Sequence, residues 1–243
     1  MERGLYIAAS GMVAEQVRQD QIANDLANAS TPGYKADRSA QSSFGALLVS
    51  NQLTGQPVGG LDFGPQITDV RADLEQGPLK ETDEPLDLAI EGQGFLSVQT
   101  PSGVRFTRNG QLSLDVQGRL VTQSGYAVLG TDGKAITVGR SDGLSIGADG
   151  TVAVGGKTAG RLAVVSLTGA VKIGDTLFGG TPGAMPAGTT VRQGYLETSA
   201  VNAARAMVDM ITSLRAYEAS QRVIHTIDDT LGRGISAGGP AAV

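Results

Sequence analysis

The chain contains no cysteine and no tryptophan, and it has a single histidine among its 243 residues. Without cysteine there is neither a disulfide framework nor a thiolate metal site, although the compartment stays open. Such a chain suits a protein that travels unfolded to an oxidising place. Aromatic residues make up only 4 %, so the core must be built from Val, Leu, Ile and Ala. Basic residues are in deficit, 19 against 24 acidic ones, for a net charge of −5. With no basic run either, a dedicated nucleic-acid binder is disfavoured. No apolar stretch approaches the roughly 18 residues of a membrane-spanning helix. Ala27-Asn28-Ala29 has the small residues of a signal-cleavage site. Its flanks refuse that role, because Glu2, Glu15, Arg18, Asp20 and Asp25 interrupt the apolar run a signal needs.

Glycine is abundant, at 35 residues, and predicts many tight turns. Hydrophobic residues at 40 % and charged residues at 18 % fit an ordinary folded chain. The length suffices for one large domain or two small ones.

Three kinds of pattern follow one another. From about residue 2 to 28, Leu5, Ala8, Met12, Glu15, Gln19, Ile22 and Leu26 alternate steps of three and four. That is the seam of a helix packed side by side with another, imperfect because two members are polar. Thr31-Pro32-Gly33 stops this helix. From about 199 to 232 the same alternation runs through Ala200, Ala203, Met207, Met210, Leu214, Tyr217, Gln221, Ile224, Asp228 and Leu231. Ser199 is the expected N-cap, and Gly232 and Gly234 the expected end. At 1.5 Å per residue this helix would be roughly 45–50 Å long.

Between the helices the period changes to two. Leu86, Leu88 and Ile90 alternate with Asp87, Ala89 and Glu91, and Leu112, Leu114 and Val116 alternate with Ser113 and Asp115. Turn pairs at Asn109-Gly110, Asp132-Gly133, Asp142-Gly143, Asp149-Gly150 and Gly155-Gly156 punctuate these runs. They predict an antiparallel β domain over 84–193, barrel-like or sandwich-like. Residues 36–83 form a loop-rich connector, with a short strand at Gln66 to Val70.

The expected fold class is therefore α+β: a discontinuous helical layer from residues 1–35 and 194–243, with a Gly-rich antiparallel β domain inserted between. Two helices cannot enclose all their apolar surface against one another. Copies of the same layer would finish the burial, which is a heterologous contact that builds open helical assemblies. The helix-packing positions expected to carry it are Leu5, Met12, Ile22, Leu26, Ala200, Met207, Met210, Leu214, Tyr217, Ile224 and Leu231.

Four segments resemble a known family. Ile22 to Lys35 contains Asn24, Leu26, Ala27, Asn28, Ser30, Thr31, Pro32, Gly33 and Tyr34, and it is similar to the signature that closes the N-terminal helix of bacterial flagellar axial proteins. Asp25 stands where the family usually has a second Asn. Pro85 to Phe95 is the second segment, and Phe106 to Gly110 followed by Gly118 to Thr122 is the third. The fourth is Gly194 to Asn202, followed by Met210-Ile211 and Arg215 to Glu218, with Ala200 in place of the usual Asn. Their order and spread are specific to the basal-body rod subunits. The resemblance implies a structural, non-enzymatic subunit of a tubular drive shaft that crosses the periplasm. It implies copies of itself and other rod or axial subunits as partners, and delivery by the flagellar type III export apparatus. It implies no nucleic acid, membrane insertion, small-molecule substrate, cofactor or metal. The alternative within the family is a hook-type subunit.

Competing motifs are weaker. Gly139-Arg140-Ser141-Asp142-Gly143 fits Gly-x-Ser-x-Gly, which would make Ser141 the nucleophile of a serine hydrolase. That elbow needs a helix after it, whereas Leu144-Ser145-Ile146 reads as a strand. The single His225 lies within the C-terminal helical pattern. Gly156-Lys157-Thr158 lacks the upstream glycine of a phosphate loop, since position 151 is Thr.

Overall fold

Apolar periodicity of three and four makes helices at both ends of this chain, and short alternating runs broken by glycine make strands between them. The computed structural model describes residues 2–43, 47–50, 57–61, 65–139, 143–174 and 176–237. The chain begins with α1 (Glu2–Ala27), followed by β1 (Asp37–Ser43), β2 (Leu47–Ser50), β3 (Pro57–Leu61), β4 (Pro65–Ala72) and β5 (Leu79–Glu81). Next come β6 (Leu88–Glu91), β7 (Phe95–Thr100), β8 (Gly103–Thr107), β9 (Leu112–Leu114), β10 (Leu120–Thr122) and β11 (Ala127–Val128). Then follow β12 (Leu144–Ile146), β13 (Thr151–Val154), β14 (Lys157–Arg161), β15 (Val164–Val165), β16 (Leu167–Gly174) and β17 (Leu177–Pro182). The chain closes with β18 (Thr190–Gln193), β19 (Tyr195–Glu197) and α2 (Ala203–Ala237).

Two compact units emerge. The first comprises residues 1–26, 37–70 and 203–243, and the second comprises 27–36 and 71–202. In the first, α1 and α2 run antiparallel: Gly4 faces Ile227, Gly11 faces Ser220, and Glu15 meets Ser213. The residues buried along this pair are small, namely Ala8, Ala14, Ala206 and Ser213. Strands β2 and β3 form an antiparallel ladder, and β1 pairs with β4. The span expected to be a loop-rich connector therefore carries strands, and β4 extends the short strand expected at 66–70.

In the second unit an eight-stranded sheet runs β16-β17-β8-β7-β11-β10-β9, with β15 also paired to β7. A three-stranded meander β12-β13-β14 and two ladders, β6-β18 and β5-β19, complete it. Its core joins Leu88, Ile90, Leu96, Val98, Leu120, Val128, Val152 and Leu162, all buried. A smaller cluster gathers Phe95, Phe106 and Phe178, with the Phe95 and Phe178 rings 5.3 Å apart and tilted 55°. Three of the five phenylalanines thus meet in one place.

Gly155 and Gly156 both take positive φ, 55° and 80°, between the paired strands β13 and β14, which is the two-residue hairpin their sequence predicts. Asn109-Gly110 behaves differently. Strands β8 and β9 on either side do not pair with each other; β8 pairs with β7 and β17, and β9 with β10. Gly110 serves instead as a point of close approach: a Cβ there would lie 1.7 Å from the carbonyl oxygen of Leu88. The C-terminal helix also differs from expectation. It starts at Ala203, because the Ser199 hydroxyl accepts from the Val201 amide and closes a turn before the helix begins. It runs past Gly232 and Gly234, which cost helix stability without ending it. Its 35 residues span about 52 Å.

Two glycine replacements should therefore have opposite effects. Gly110→Ala should lower stability by about 2–4 kcal/mol, since backbone must move to admit the methyl group. Gly232→Ala, with nothing near its side, should raise the stability of α2 by up to about 1 kcal/mol. Urea denaturation followed by circular dichroism reads both.

Candidate functional site

Three charged side chains, each from a different one of the four segments singled out in the sequence, meet inside the second unit. Lys35 follows the N-terminal signature, Arg108 lies between Phe106 and Gly110, and Glu197 ends β19. Lys35 is 0 % exposed and Glu197 1 %. The Lys35 ammonium donates to Glu197 Oε1 and to the Glu75 carbonyl. Arg108 Nη1 donates to Glu197 Oε2 at 2.9 Å, and Nη2 to the Gly92 carbonyl at 2.7 Å. Gly77 N donates to Glu197 Oε1 at 2.8 Å. The remaining segment, Pro85 to Phe95, contributes carbonyls: besides that of Gly92, Nη1 of Arg108 also reaches the Ile90 carbonyl at 3.3 Å.

Two cations thus share one carboxylate, and main-chain carbonyls take up the remaining positive charge. Burial pushes the Lys35 ammonium below its ordinary pKa, and the hydrogen bond and charge of Glu197 partly restore it. Arg108 also lies over the Phe95 ring, 5.3 Å from its centroid, joining the cluster to the phenylalanine core.

The backbone around the cluster is clasped as tightly. Gly33 N donates to the Glu197 carbonyl at 2.8 Å and Ala200 N to the Tyr34 carbonyl at 3.2 Å. The segment arriving after α1 and the segment departing toward α2 therefore lie side by side. Gly33 has φ +67°, and a Cβ on it would come within 2.4–2.5 Å of the Arg108–Asn109 backbone. Lys172 caps the clasp, donating to the Lys35 carbonyl at 3.1 Å and lying 4.0 Å above the Tyr34 ring.

The sequence-selected signature residues spread across this region and the end of α1. Asn24 is exposed, Leu26 half-buried, and Ala27 is the last residue of α1. Asn28 and Thr31 close the turn after it: Thr31 N donates to the Asn28 carbonyl at 3.1 Å and Thr31 Oγ1 to Asn28 Oδ1 at 3.2 Å. Ser30 is exposed, Pro32 half-buried, and Gly33 and Tyr34 are buried. Lys35, Arg108 and Glu197 were missed as a group. Their segments hold other charges too, such as Asp25 and Arg119, so nothing in the residue order set these three apart.

The helix-packing residues fall into two sets. Met12, Ile22, Leu26, Met210, Tyr217 and Ile224 are half-buried. Leu5, Met207, Leu214 and Leu231 are exposed, as is Ala200 before the helix. Tyr6, Ile7, Val13, Val17, Val208, Ile211 and Val223 are exposed large apolar residues of the same two helices. The fully buried residues of the two helices are small, the first set of large ones is partly covered, and the second set is exposed.

Nothing in this arrangement forms a reaction centre among the described residues. Ser141 lies outside them, and Gly143 is followed by strand β12 where a nucleophile elbow would continue as helix. Gly156-Lys157-Thr158 is the hairpin entry to β14. No cluster of metal-binding side chains occurs among the described residues, and no described helix is long and apolar enough to cross a membrane.

Family models match three stretches of the chain. Residues 5–35 match the flagella basal body rod protein, 89–154 the D1 domain of the flagellar hook protein FlgE/F/G, and 192–237 the C-terminal region of the flagellar basal body rod FlgEFG proteins. The flagellar basal-body rod protein FlgF of Escherichia coli is 36 % identical over 259 residues, covering 96 % of this chain and 97 % of its own length. FlgG of Buchnera aphidicola subsp. Schizaphis graminum, also a flagellar basal-body rod protein, is 34 % identical over 254 residues, with 93 % and 96 % covered. FlgF of Caulobacter vibrioides is 33 % identical over 236 residues, with 92 % and 93 % covered.

Removing the shared carboxylate should be severe. Glu197→Gln keeps the shape and leaves two buried cations facing a neutral amide, so stability should fall by about 3–5 kcal/mol in urea titrations. The Lys35 shift also has a signature. The folded state gives up this proton before the unfolded state does, so its penalty is complete below the lowered folded pKa. The penalty is relieved as pH rises from there to 10.5. Relative to Lys35→Met, the wild type should therefore gain stability as pH rises toward 10.5.

Proposed function

Since the chain belongs to the flagellar basal-body rod protein family, we propose that it assembles by burying the outer faces of α1 and α2 against copies of itself and related axial subunits. It is a structural subunit of the basal-body rod, a component of the bacterial flagellum that serves motility. In this reading the two helices form a layer of a tubular shaft and the β unit sets further contacts. Delivery through the flagellar type III export apparatus belongs to the same reading, as does the absence of any enzymatic role.

The observation that carries the proposal is the inverted distribution of size on the helix pair. A soluble helical hairpin turns its large apolar side chains inward. Here Met207 is 52 % exposed, Val208 61 % and Leu214 47 %, while Ser213 beside them is 1 % exposed. Burying one such side chain contributes about 1.5–3 kcal/mol, so a set of them repeated on each copy favours association. The exposed face of α2 recurs at Met207, Ile211 and Leu214, the spacing of a helix face that meets another helix.

A hook-type subunit is the second reading, supported by the hook D1 description of the model over residues 89–154. Relatives aligned over more than nine-tenths of this chain and called rod proteins favour the rod.

Leu214→Asp separates assembly from folding. Because Leu214 is exposed in the single chain, the purified variant should keep its stability within about 0.5 kcal/mol. A strain carrying only the variant should fail to swim and should lack rods in isolated basal bodies. Normal swimming at normal protein levels would overturn the proposal.

A further inference from the structure

Small residues recur at a regular interval along the seam between α1 and α2. Gly4 and Gly11 on α1 are seven residues apart, as are Ala206, Ser213, Ser220 and Ile227 on α2. Small side chains at a seven-residue repeat carry little shape information. Sliding one helix past the other by seven residues moves it about 10 Å and again presents mostly small residues to the partner. Packing alone therefore leaves the register weakly specified.

One polar contact breaks that degeneracy. Ser213, 1 % exposed, donates its hydroxyl hydrogen to Glu15 Oε2 at 2.6 Å, with the Glu15 main-chain oxygen 3.2 Å away. Glu15 keeps only 18 % of its side chain exposed, and its other carboxylate oxygen has Arg18 at 4.0 Å. A carboxylate this covered needs its donor, and the hydroxyl needs its acceptor. Sliding one way would set Glu15 beside Ala206, which has no donor. Sliding the other way would give Glu15 the Ser220 hydroxyl but leave Ser213 beside Ile22 and Gly11 beside Ile227. Only the observed register satisfies both groups while keeping glycine at the closest approach.

We propose that Glu15 and Ser213 are the register-determining pair of the terminal helices. A buried polar contact in a helix seam gives up some stability against an apolar one and in return admits a single alignment. The consequence is uniformity: every copy presents the same outer arrangement of large apolar side chains, which a repeating assembly requires. The proposal concerns the helix pair within one chain, so it stands or falls separately from the assembly reading.

The absence of native cysteine makes the test direct. In the full-length purified chain, three double-cysteine variants report alignment under mild oxidation. Gly11→Cys with Ser220→Cys reports the observed register, in which a Cβ on Gly11 lies 3.7 Å from Ser220 Oγ. Gly11→Cys with Ile227→Cys, and Gly4→Cys with Ser220→Cys, report the two slipped ones. With Glu15 and Ser213 intact, only the first pair should form an intramolecular disulfide in high yield. With Glu15→Leu and Ser213→Ala together, the yield of at least one slipped pair relative to the first should rise about tenfold, the scale of losing one charge-assisted hydrogen bond. Glu15→Gln, which still accepts from Ser213, should keep the original pattern. An unchanged pattern in the Leu/Ala background would overturn the proposal. So would loss of all three disulfides, which would mean that the contact holds the helices together without choosing their alignment.

Discussion

Glu197 faces two buried cations, Lys35 and Arg108, with both of its carboxylate oxygens, and the arrangement of the second unit depends on it. Withdrawing three charges from water is costly, and their attraction repays that cost only when every donor and acceptor is met. Here the excess cation is answered by the carbonyls of Glu75, Ile90 and Gly92, and the carboxylate gains the Gly77 amide, which leaves the buried Nε of Arg108 as the one cluster donor without an acceptor among the described residues. These partners come from segments as distant in sequence as residues 35 and 197. The cluster consequently acts as a check on the fold: a chain with any one segment misplaced would bury an unpaired charge.

The same clasp joins the two places where the chain passes between the β-rich part and its terminal helices. Gly33, Tyr34 and Lys35 lie against Glu197 and Ala200 through main-chain and side-chain bonds. Only glycine suits position 33, where positive φ and a close approach to the Arg108 backbone coincide. The signature at the end of α1 therefore has a local physical meaning beyond stopping a helix.

On the helices the logic is reversed. The fully buried groups are small or polar, and many of the large apolar groups are exposed. That order is unfavourable for a protein meant to remain alone in water and is what the proposed assembly requires. Glycine and alanine let the backbones approach closely, so the most buried part of the contact between α1 and α2 is made by small side chains. Leucine, valine and methionine are left for other partners.

Much of this was legible in the amino-acid order. Helix position and length followed from the three-four spacing of apolar residues, and the β region followed from its two-residue alternation, because both periods are set by local backbone geometry. The Gly155-Gly156 hairpin was readable for the same reason. Family membership was carried by four segments whose order no chance match reproduces. What the sequence left open was which face of each helix meets the other. The three-four pattern selected the stripe through Met210, Leu214 and Tyr217, whereas Ser213, one residue or about 100° round the helix, is the fully buried one. Whether leucine or serine turns inward depends on how closely the backbones approach, which is a tertiary quantity. Asn109-Gly110 was misread as a turn on the same account, since a glycine needed for nearness to Leu88 looks identical in sequence to one needed for positive φ. The charge cluster belongs there too: Lys35, Arg108 and Glu197 are individually ordinary. Only the folded chain, by bringing them together away from water, makes them a single interaction.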